Sequence, residues 1–264
     1  MNIWLLGLIT LVIALLMTMT GRGGGNFYII ALVLSGISMH IAAATAQFIL
    51  FTAAFFGMLV FGTKKSIEWK LAVFMGVLIA ISAFLGGFCS HYVPGKTLKL
   101  ILSFFIFIFA LLMLKPVKNS TSETGKKDWK YWNIKSFNEA TVYPVNLLIV
   151  VPTVVIFGFV AGMVGIAGGS FMVPLLVLAC GMPMKNAVGT VSPLLFVSSL
   201  SGFIGHAVSG HFDYRLAIPL AIAGAVGGLI GGSIAMKSKP ELLKILFALT
   251  NLAAAIIIAY KVFY

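Results

Sequence analysis

Apolar residues in this chain form long uninterrupted runs that are separated by short polar stretches. A helix rises about 1.5 Å per residue, so a run of roughly 20 apolar residues can cross a hydrocarbon core about 30 Å thick. The runs do not alternate between apolar and polar positions, as the strands of a membrane β-barrel would. The pattern therefore predicts an all-α, polytopic membrane protein. The predicted long spans are residues 2–20, 42–62, 70–90, 97–115, 145–163, 186–207, 215–236 and 242–262.

Two further apolar runs, 26–38 and 170–182, are too short to cross a membrane unaided. A helix of this length reaches only about 20 Å. If each short run re-enters and returns to the side it came from, each half of the chain has four crossings and the halves are parallel. If each short run crosses, each half has five crossings and the second half is inverted relative to the first.

The longest polar stretch, 116–142, separates a first membrane unit at 1–115 from a second at 143–264. It is rich in lysine and contains Trp129 and Trp132. A mixture of basic and aromatic residues suits a linker that lies partly on the membrane surface. We expect this linker on the cytoplasmic side of the inner membrane.

The two units repeat one another without a gap, with 145 positions between matched residues, as from Gly23 to Gly168. A glycine-rich segment precedes each short run, GGG at 23–25 and GGS at 168–170. In an apolar chain, paired halves with glycine-broken segments at matched positions indicate a secondary transporter and its binding site. Further matched pairs are Gly24 with Gly169, Gly36 with Gly181, Met39 with Met184, Ala42 with Ala187, Thr45 with Thr190 and Gly57 with Gly202.

The placement of basic residues bears on the topology, because cytoplasmic loops carry an excess of Lys and Arg. With five crossings per half and the N-terminus outside, 14 of the 18 Lys and Arg residues fall inside and 4 outside. The best arrangement with four crossings gives 11 inside and 7 outside. The charges therefore favour inverted repeats, each made of four long helices and one short or re-entrant helix.

Composition supports a membrane protein and narrows its partners. Hydrophobic residues make up 61% and charged residues 9% of the chain, whereas a soluble domain is nearer half apolar and about a quarter charged. The net charge is +12, from 18 basic and 6 acidic residues, and most of the charged residues lie in loops between the apolar runs. That placement suits orientation against an anionic leaflet rather than nucleic-acid binding.

The glycine-rich segments are the predicted binding site for a small anion. Backbone N–H groups freed from a helix inside a membrane must be satisfied by protein, water or a ligand. A helix that begins there points its N–H groups and its positive dipole end at the segment, which suits an anion. The alternative is that the glycines only allow close helix packing. The predicted backbone ligands are Gly23, Gly24, Gly25, Gly168, Gly169 and Ser170.

Several polar side chains follow the glycines at matched positions. Thr45 and Thr190 stand early in the next span, with Gln47 and Ser192 two residues later. Hydroxyl and amide groups can donate to a substrate oxygen without bringing a charge into lipid, although such a threonine also commonly bonds its own helix. Pro174 and Pro183 bracket the second short run, and the first copy lacks both. We therefore expect the second copy to carry more of the specificity.

Proton coupling and enzymatic chemistry have weaker support in the sequence. His40 and His206 stand at span ends and could titrate near neutral pH, although loop-end histidines are usually only solvated. No carboxylate lies inside a span, and no cluster with metal-ligand spacing or nucleotide-binding motif occurs, so we expect no metal, no cofactor and no enzyme. Cys89 and Cys180 lack redox or metal spacing.

The glycine and proline pattern resembles the TauE/SafE sulfite exporter family of membrane permeases, of the 4-toluene sulfonate uptake type. That family repeats a G-x-G-G-G-x-x-x-V-P-type signature and an A-V/A-x-T element. Ala167 and Ser170 stand where the family has glycine, and the first copy lacks Val-Pro. The matching residues are Gly165, Gly168, Gly169, Val173, Pro174, Gly181, Pro183, Ala187 and Thr190, and in the weaker first copy Gly23, Gly24, Gly25, Gly36, Ala42 and Thr45.

The resemblance implies a transporter that exports a small anion such as sulfite, a sulfonate or a related organosulfur or organic anion, by alternating access. The expected partners are that substrate, the lipid bilayer and a proton as coupling ion, and a homodimer is compatible with the sequence. Two alternatives stay open, a passive anion channel and a membrane-embedded redox or enzymatic protein. The sequence leaves the substrate, the coupling ion and the direction of transport undecided.

Overall fold

The computed structural model describes residues 3–21, 23–98, 100, 101, 104, 131–135, 142–166, 168–239, 242, 245, 246 and 249. The helices with described bounds are α1 Ile3–Met19, α2 Gly25–Leu34, α3 Met39–Thr63, α4 Trp69–Cys89, α5 Leu147–Val164, α6 Gly169–Pro174, α7 Met184–Val208 and α8 Tyr214–Lys237. A 3-10 turn, Ser90–Tyr92, follows α4, and a π-helical turn, Leu175–Ala179, follows α6. Two strands, β1 Tyr131–Lys135 and β2 Val142–Asn146, precede α5.

The helices confirm the prediction of an all-α membrane protein. Helices α3, α4, α5, α7 and α8 are each long and apolar enough to cross a membrane. Their bounds lie within three residues of the predicted spans, because hydropathy and local breakers set both. The two short runs are α2 and α6 with its π-helical turn. The predicted spans 97–115 and 242–262 lie almost wholly outside the described residues, as does most of the 116–142 linker.

The strand pair was not predicted from the sequence. Strands β1 and β2 run antiparallel, with Trp132 opposite Val145. Val145 is fully buried, and the Trp132 ring meets the Phe74 ring of α4 edge to face, with centroids 5.2 Å apart. The end of the linker therefore folds against the start of α4, which a hydropathy pattern alone does not reveal.

The outer surface of the bundle is apolar, as a lipid-facing surface should be. Along α4, exposed apolar side chains recur every four residues at Val73, Val77, Ile81 and Leu85. This spacing places them on one face of the helix. Polar side chains such as Gln47 are instead fully buried. The distribution is the reverse of that in a soluble domain and fits a helix bundle in lipid.

Helices α3 and α7 occupy matched positions in the two halves, and they pack antiparallel. Their bounds are the same 145 positions apart, since Met39 plus 145 is Met184 and Thr63 plus 145 is Val208. The Phe48 ring lies 5.0 Å from that of Phe203, and further along α3 the Phe51 ring lies 5.2 Å from that of Phe196. Residue numbers therefore rise along one helix as they fall along the other.

The helices of the two halves are interleaved, so that each of two packed groups contains helices from both halves. In the first group, α1 and α3 pack along α8 of the second half, where Gly227 lies against Ala14 and Gly224 against Ile49. In the second group, α5 and α7 pack along α4 of the first half, where Gly162 lies against Ala83. Glycines at these seams let the backbones approach closely. Within each group the helices run parallel, and the two groups meet at α3 and α7.

This arrangement gives the bundle two chemically different ends. The histidine end holds the starts of α3 and α8 and the ends of α4 and α7. The lysine end holds the starts of α4 and α7 and the ends of α3 and α8, and there the Lys185 Nζ donates to the Met236 carbonyl at 3.4 Å. The basic residues with described side chains at the lysine end are Lys64, Lys65, Lys70, Lys185, Lys237 and Lys239, and those at the histidine end are Lys96 and Arg215.

Candidate functional site

The first glycine break joins α1 to α2 and uses glycine for its backbone geometry. Gly21, Gly23 and Gly24 have φ angles of 71°, 73° and 82°, in the left-handed region that other residues rarely enter. The Thr20 hydroxyl donates to the Met17 carbonyl at 3.1 Å. The end of α1 is therefore held by a side chain from the same segment, and Gly25 begins α2.

This break lies at the middle of the bundle. A Cβ atom at Gly23 would stand 2.5 Å from Leu50 Cδ1 and 3.1 Å from Leu195 Cδ1. Leu50 and Leu195 are matched positions near the centres of α3 and α7. Any side chain at Gly23 would therefore enter the contact between the two central helices, at mid-depth of the predicted membrane.

The second break joins α5 to α6 and is held differently. Gly165, with a φ of 84°, donates its N–H to the Ala161 carbonyl at 3.0 Å, and Ile166 donates to the same oxygen at 2.9 Å. A Cβ atom at Gly165 would stand 2.5 Å from the Ala43 Cα of α3. Gly168 has an ordinary helical φ of −63° and lies against the Phe171 ring.

Two buried side chains from other helices bond the last turn of α5. The Gln47 Nε2 of α3 donates to the Ala161 carbonyl at 3.4 Å. The His206 Nε2 of α7 lies 3.0 Å from the Gly162 carbonyl. Both side chains are fully buried. The Ala161 carbonyl already accepts from the Gly165 and Ile166 N–H groups, so the two side chains add further hydrogen bonds to the last turn of α5, where the second break begins.

The two threonines that matched in sequence lie far apart in the structure. Ser192 of α7 lies beside Ala54 of α3, and its hydroxyl donates to the Ala54 carbonyl at 3.3 Å. Because α3 and α7 are antiparallel, Thr45 is near the histidine end and Thr190 near the lysine end. More than three helical turns, on the order of 20 Å, separate them along the bundle. They do not line a single site for one small ion.

The threonines also differ in their partners. Thr190 Oγ1 accepts a hydrogen bond of 3.0 Å from the Glu68 N–H at the start of α4. The Thr45 hydroxyl is buried and has no hydrogen-bond partner among the described residues. Thr190 therefore supports the beginning of another helix, which is a structural role that its matched sequence position did not reveal.

The remaining predicted residues belong to the second short segment. Gly169 and Ser170 form the first turn of α6, and the Ser170 side chain lies outside the described structure. Pro174 ends the α-helical part of α6, and the π-helical turn begins directly after it. Pro183 precedes α7 as its N-cap residue. Short π-helical turns are frequent at functional sites.

Sequence reasoning missed two buried polar side chains. The hydroxyls of Tyr28 in α2 and Ser198 in α7 are buried, and in the described part of the chain neither has a hydrogen-bond partner. The Gln47 Oε1 shares this property. Unpaired polar groups are costly in a membrane interior, so such atoms mark places where water or substrate would be stabilised. For Tyr28, the signal available in the sequence was a polar residue three positions after Gly25.

All four histidines of the chain meet at the histidine end. The His40 and His211 rings stack with centroids 4.8 Å apart, and the His91 ring lies 5.5 Å from that of His211. Partial burial and the neighbouring His40 and His91 imidazoles lower the pKa of His211. In the described residues no group of three His, Cys, Asp or Glu side chains is arranged to hold a metal ion.

Comparisons with known proteins identify the family. Residues 6–258 match the family described as "Sulfite exporter TauE/SafE". A "Probable membrane transporter protein" of Xylella fastidiosa strain Temecula1 is 26% identical over 246 residues, which are 90% of this chain and 88% of that protein. "Probable membrane transporter protein MJ0441" of Methanocaldococcus jannaschii is 23% identical over 262 residues, 92% of this chain and 90% of that protein.

A third relative, "Probable membrane transporter protein YunE" of Bacillus subtilis, is 23% identical over 212 residues, 77% of each chain. No solved structure matches the chain. The fold and the relatives define a multi-pass membrane transporter. The chain belongs to the TauE/SafE sulfite exporter family, as the glycine pattern had indicated.

Proposed function

We propose that this protein is a secondary transporter that exports a small anion, of the class of sulfite, sulfonates and related organosulfur or organic anions, by alternating access. The observation that carries the proposal is the first glycine break, which lies between Leu50 and Leu195 at the centre of the bundle. It precedes a short helix whose first N–H groups have no partner within that helix. Such a helix start attracts an anion at mid-depth of the membrane.

The antiparallel packing of α3 and α7 supports inverted repeats. Two matched helices that run in opposite directions fit halves of opposite orientation, and each short helix then counts as a crossing element. Six basic residues with described side chains lie at the lysine end and two at the histidine end, which fits a cytoplasmic lysine end. The proposal therefore places the 116–142 linker in the cytoplasm and the protein in the inner membrane.

The predicted binding residues act at different depths in this proposal. Gly23, Gly24 and Gly25 in the first break and Gly168, Gly169 and Ser170 in the second supply backbone N–H groups near the centre. Thr45 and Gln47 serve the half of the pathway toward the histidine end. Ser192 and Thr190 serve the half toward the lysine end, and Pro174 shapes the second short segment.

Enclosure of the polar interior favours alternating access over a passive channel. Gln47, Thr45 and Ser192 are all buried, and Leu50 and Leu195 cover the first break. A substrate reaches such groups only when helices move apart. The two packed groups offer the moving parts, since α1, α3 and α8 can rock as one group against α4, α5 and α7.

Flux in proteoliposomes tests the proposal. Vesicles that contain the purified protein and are loaded with sulfite should release it with saturable kinetics, and thiosulfate, sulfonates and short carboxylates serve as competitors. Gly168→Leu should abolish flux, because the added side chain enters the second break against Phe171. Gly7→Leu is the matched control, since no atom lies within 4 Å of a Cβ there.

Each outcome has a defined meaning. Flux that does not saturate would favour the channel, and normal flux in a well-folded Gly168→Leu protein would refute the site. Cysteine labelling from either side of the vesicle, with Lys64→Cys and Lys96→Cys in a background lacking Cys89 and Cys180, tests the orientation. Labelling of both positions from one side would contradict the proposed topology.

A further inference from the structure

The four histidines come from separate elements and converge at one end of the bundle. His40 is the second residue of α3, His91 lies in the 3-10 turn after α4, and His206 is near the end of α7. His211 stands in the loop between α7 and α8, stacks on His40 and contacts His91. The loop is joined to α7 by the His211 N–H, which donates to the His206 carbonyl at 3.3 Å.

No described acidic side chain compensates charge on these rings. Asp213 is the nearest acid in sequence, and its carboxylate accepts from the N–H groups of Arg215 and Leu216 at the start of α8. The neutral imidazoles of the cluster can stack, whereas two protonated rings about 5 Å apart repel one another. The other titratable groups on the elements packed here are Cys89, Tyr92, Lys96, Asp213, Tyr214 and Arg215.

His206 connects this cluster to the second glycine break. Its Nε2 lies 3.0 Å from the Gly162 carbonyl in the last turn of α5. Its Nδ1 lies 3.0 Å from the Ser90 Oγ, and the Ser90 hydroxyl is 2.7 Å from the Gly87 carbonyl. A neutral ring donates from Nε2 and accepts from Ser90, whereas a protonated ring donates to both partners and the Ser90 hydroxyl turns to Gly87. The site therefore accommodates either protonation state.

We propose that the four histidines form a proton-operated latch that holds the second glycine break from the histidine end. With neutral rings, His211 rests on His40 and His91, and α7 keeps His206 on the Gly162 carbonyl. Protonation of more than one ring separates His211 from its neighbours. The loop then moves, the end of α7 follows through the His211 to His206 bond, and the last turn of α5 is released.

Among the described residues, the first break has no equivalent latch. Its closing bond runs from the Gly21 N–H to the Thr18 carbonyl at 3.1 Å, and Thr20 supports it from within the segment. The positions matched to His206 and His211 are Phe61 and Ser66, which do not titrate. Protons at the histidine end should therefore act on one break and leave the other unchanged, which makes the first break an internal control.

Hydrogen exchange of the full chain in nanodiscs, without substrate, tests the latch. Amide exchange of Gly165 and Ile166 is compared with that of Gly21 between pH 7.5 and pH 4.5, after correction for intrinsic rates. Coulomb repulsion between two protonated rings about 5 Å apart is sufficient to change the opening equilibrium by about tenfold. We expect the amide protection of Gly165 and Ile166 to fall about tenfold on acidification. The amide protection of Gly21 should not change.

Two variants separate the latch from general acid sensitivity. His211→Asn removes one ring of the stack and His40→Asn removes the other, while both keep the bond of His206 to the Gly162 carbonyl. Each should remove the pH step at Gly165 while the protein stays folded. Asp213→Asn keeps the helix cap and removes a carboxylate, so it should leave the step unchanged.

A pH step that persists in both histidine variants, or that affects Gly21 equally, would overturn the latch. A role of the latch in transport rests on the proposed function, because the latch acts on the second glycine break, which belongs to the proposed binding site. The exchange measurement needs no substrate. The pH step can therefore be missing in a protein that transports sulfite, and it can be present in a protein that does not.

Discussion

The two glycine breaks lie at matched positions of the two predicted repeats, yet the structure holds them in different ways. The first is stabilised within its own segment by the Thr20 hydrogen bond, and Leu50 and Leu195 of the two central helices leave no room for a side chain at Gly23. The second is stabilised from outside, by Gln47 of α3 and His206 of α7. Repeated sequence therefore sets where a helix is interrupted, whereas the neighbouring helices determine how firmly the interruption is held.

The largest expected effect comes from adding one methyl group to the first break. Gly23→Ala should lower the free energy of unfolding by about 2–4 kcal/mol, from a left-handed backbone and overpacking against Leu50. Gly168→Ala should cost less than about 1 kcal/mol, because its φ is helical and only the ends of the Phe171 and Ile79 side chains must move. Thermal unfolding in detergent measures both. Gly36→Ala, with a φ of 88° but open space, isolates the backbone part, and equal losses at Gly23 and Gly36 would contradict the packing argument.

Loss of the His206 side chain, which comes from another helix, should lower the free energy of unfolding more than loss of the Thr20 hydroxyl, which belongs to the first break itself. His206→Leu should cost about 1–2 kcal/mol, since it leaves the Gly162 carbonyl and the Ser90 hydroxyl with one partner fewer. Thr20→Val should cost about 0.5–1 kcal/mol, since one local bond is lost. Thermal unfolding at pH 7.5 compares the two variants. The reverse order would mean that the first break relies more strongly on its hydroxyl.

The matched threonines give a smaller contrast of the same kind. Thr190→Val should cost about 1 kcal/mol, because the buried Glu68 N–H loses its acceptor. Thr45→Val should change stability by less than about 0.5 kcal/mol, since its hydroxyl has no partner among the described residues. If Thr45 binds substrate, its variant should instead raise the KM for sulfite flux. A loss of about 1 kcal/mol or more in Thr45→Val would contradict the view that only the Thr190 hydroxyl stabilises the fold.

The smallest effect concerns pH. The lowered pKa of His211 means that an unfolded chain binds a proton near pH 6.5 while the folded chain still holds His211 neutral. Its contribution to stability is present above about pH 6.5 and declines as pH falls toward the folded pKa. The thermal midpoint of the wild-type protein should therefore drop below that pH more than the midpoint of His211→Asn. Parallel curves for the two proteins would exclude this contribution.

Much of the helix pattern could be predicted because it depends on local properties. Met39–Thr63 and Met184–Val208 were found within three residues by hydropathy, and Gly24 and Gly168 stand directly before the short helices. Strands β1 Tyr131–Lys135 and β2 Val142–Asn146 were missed, since they are stabilised by pairing with each other and by the packing of Trp132 on Phe74 of α4. Thr45 and Thr190 were predicted together to bind substrate because their positions are equivalent, and that role stays a prediction. The sequence did not reveal that Thr190 also accepts a hydrogen bond from the Glu68 N–H.

The amino-acid sequence by itself determined the membrane spans, the interruptions and the family, because hydropathy, backbone sterics and motif spacing act over a few residues. Only the tertiary structure decided that α3 and α7 meet antiparallel, that each half packs on the other, and that four histidines from distant segments form one cluster. These features depend on which helix surfaces meet. Small residues such as Gly87 and Gly228 permit close contact, but a glycine does not specify the helix that will lie against it.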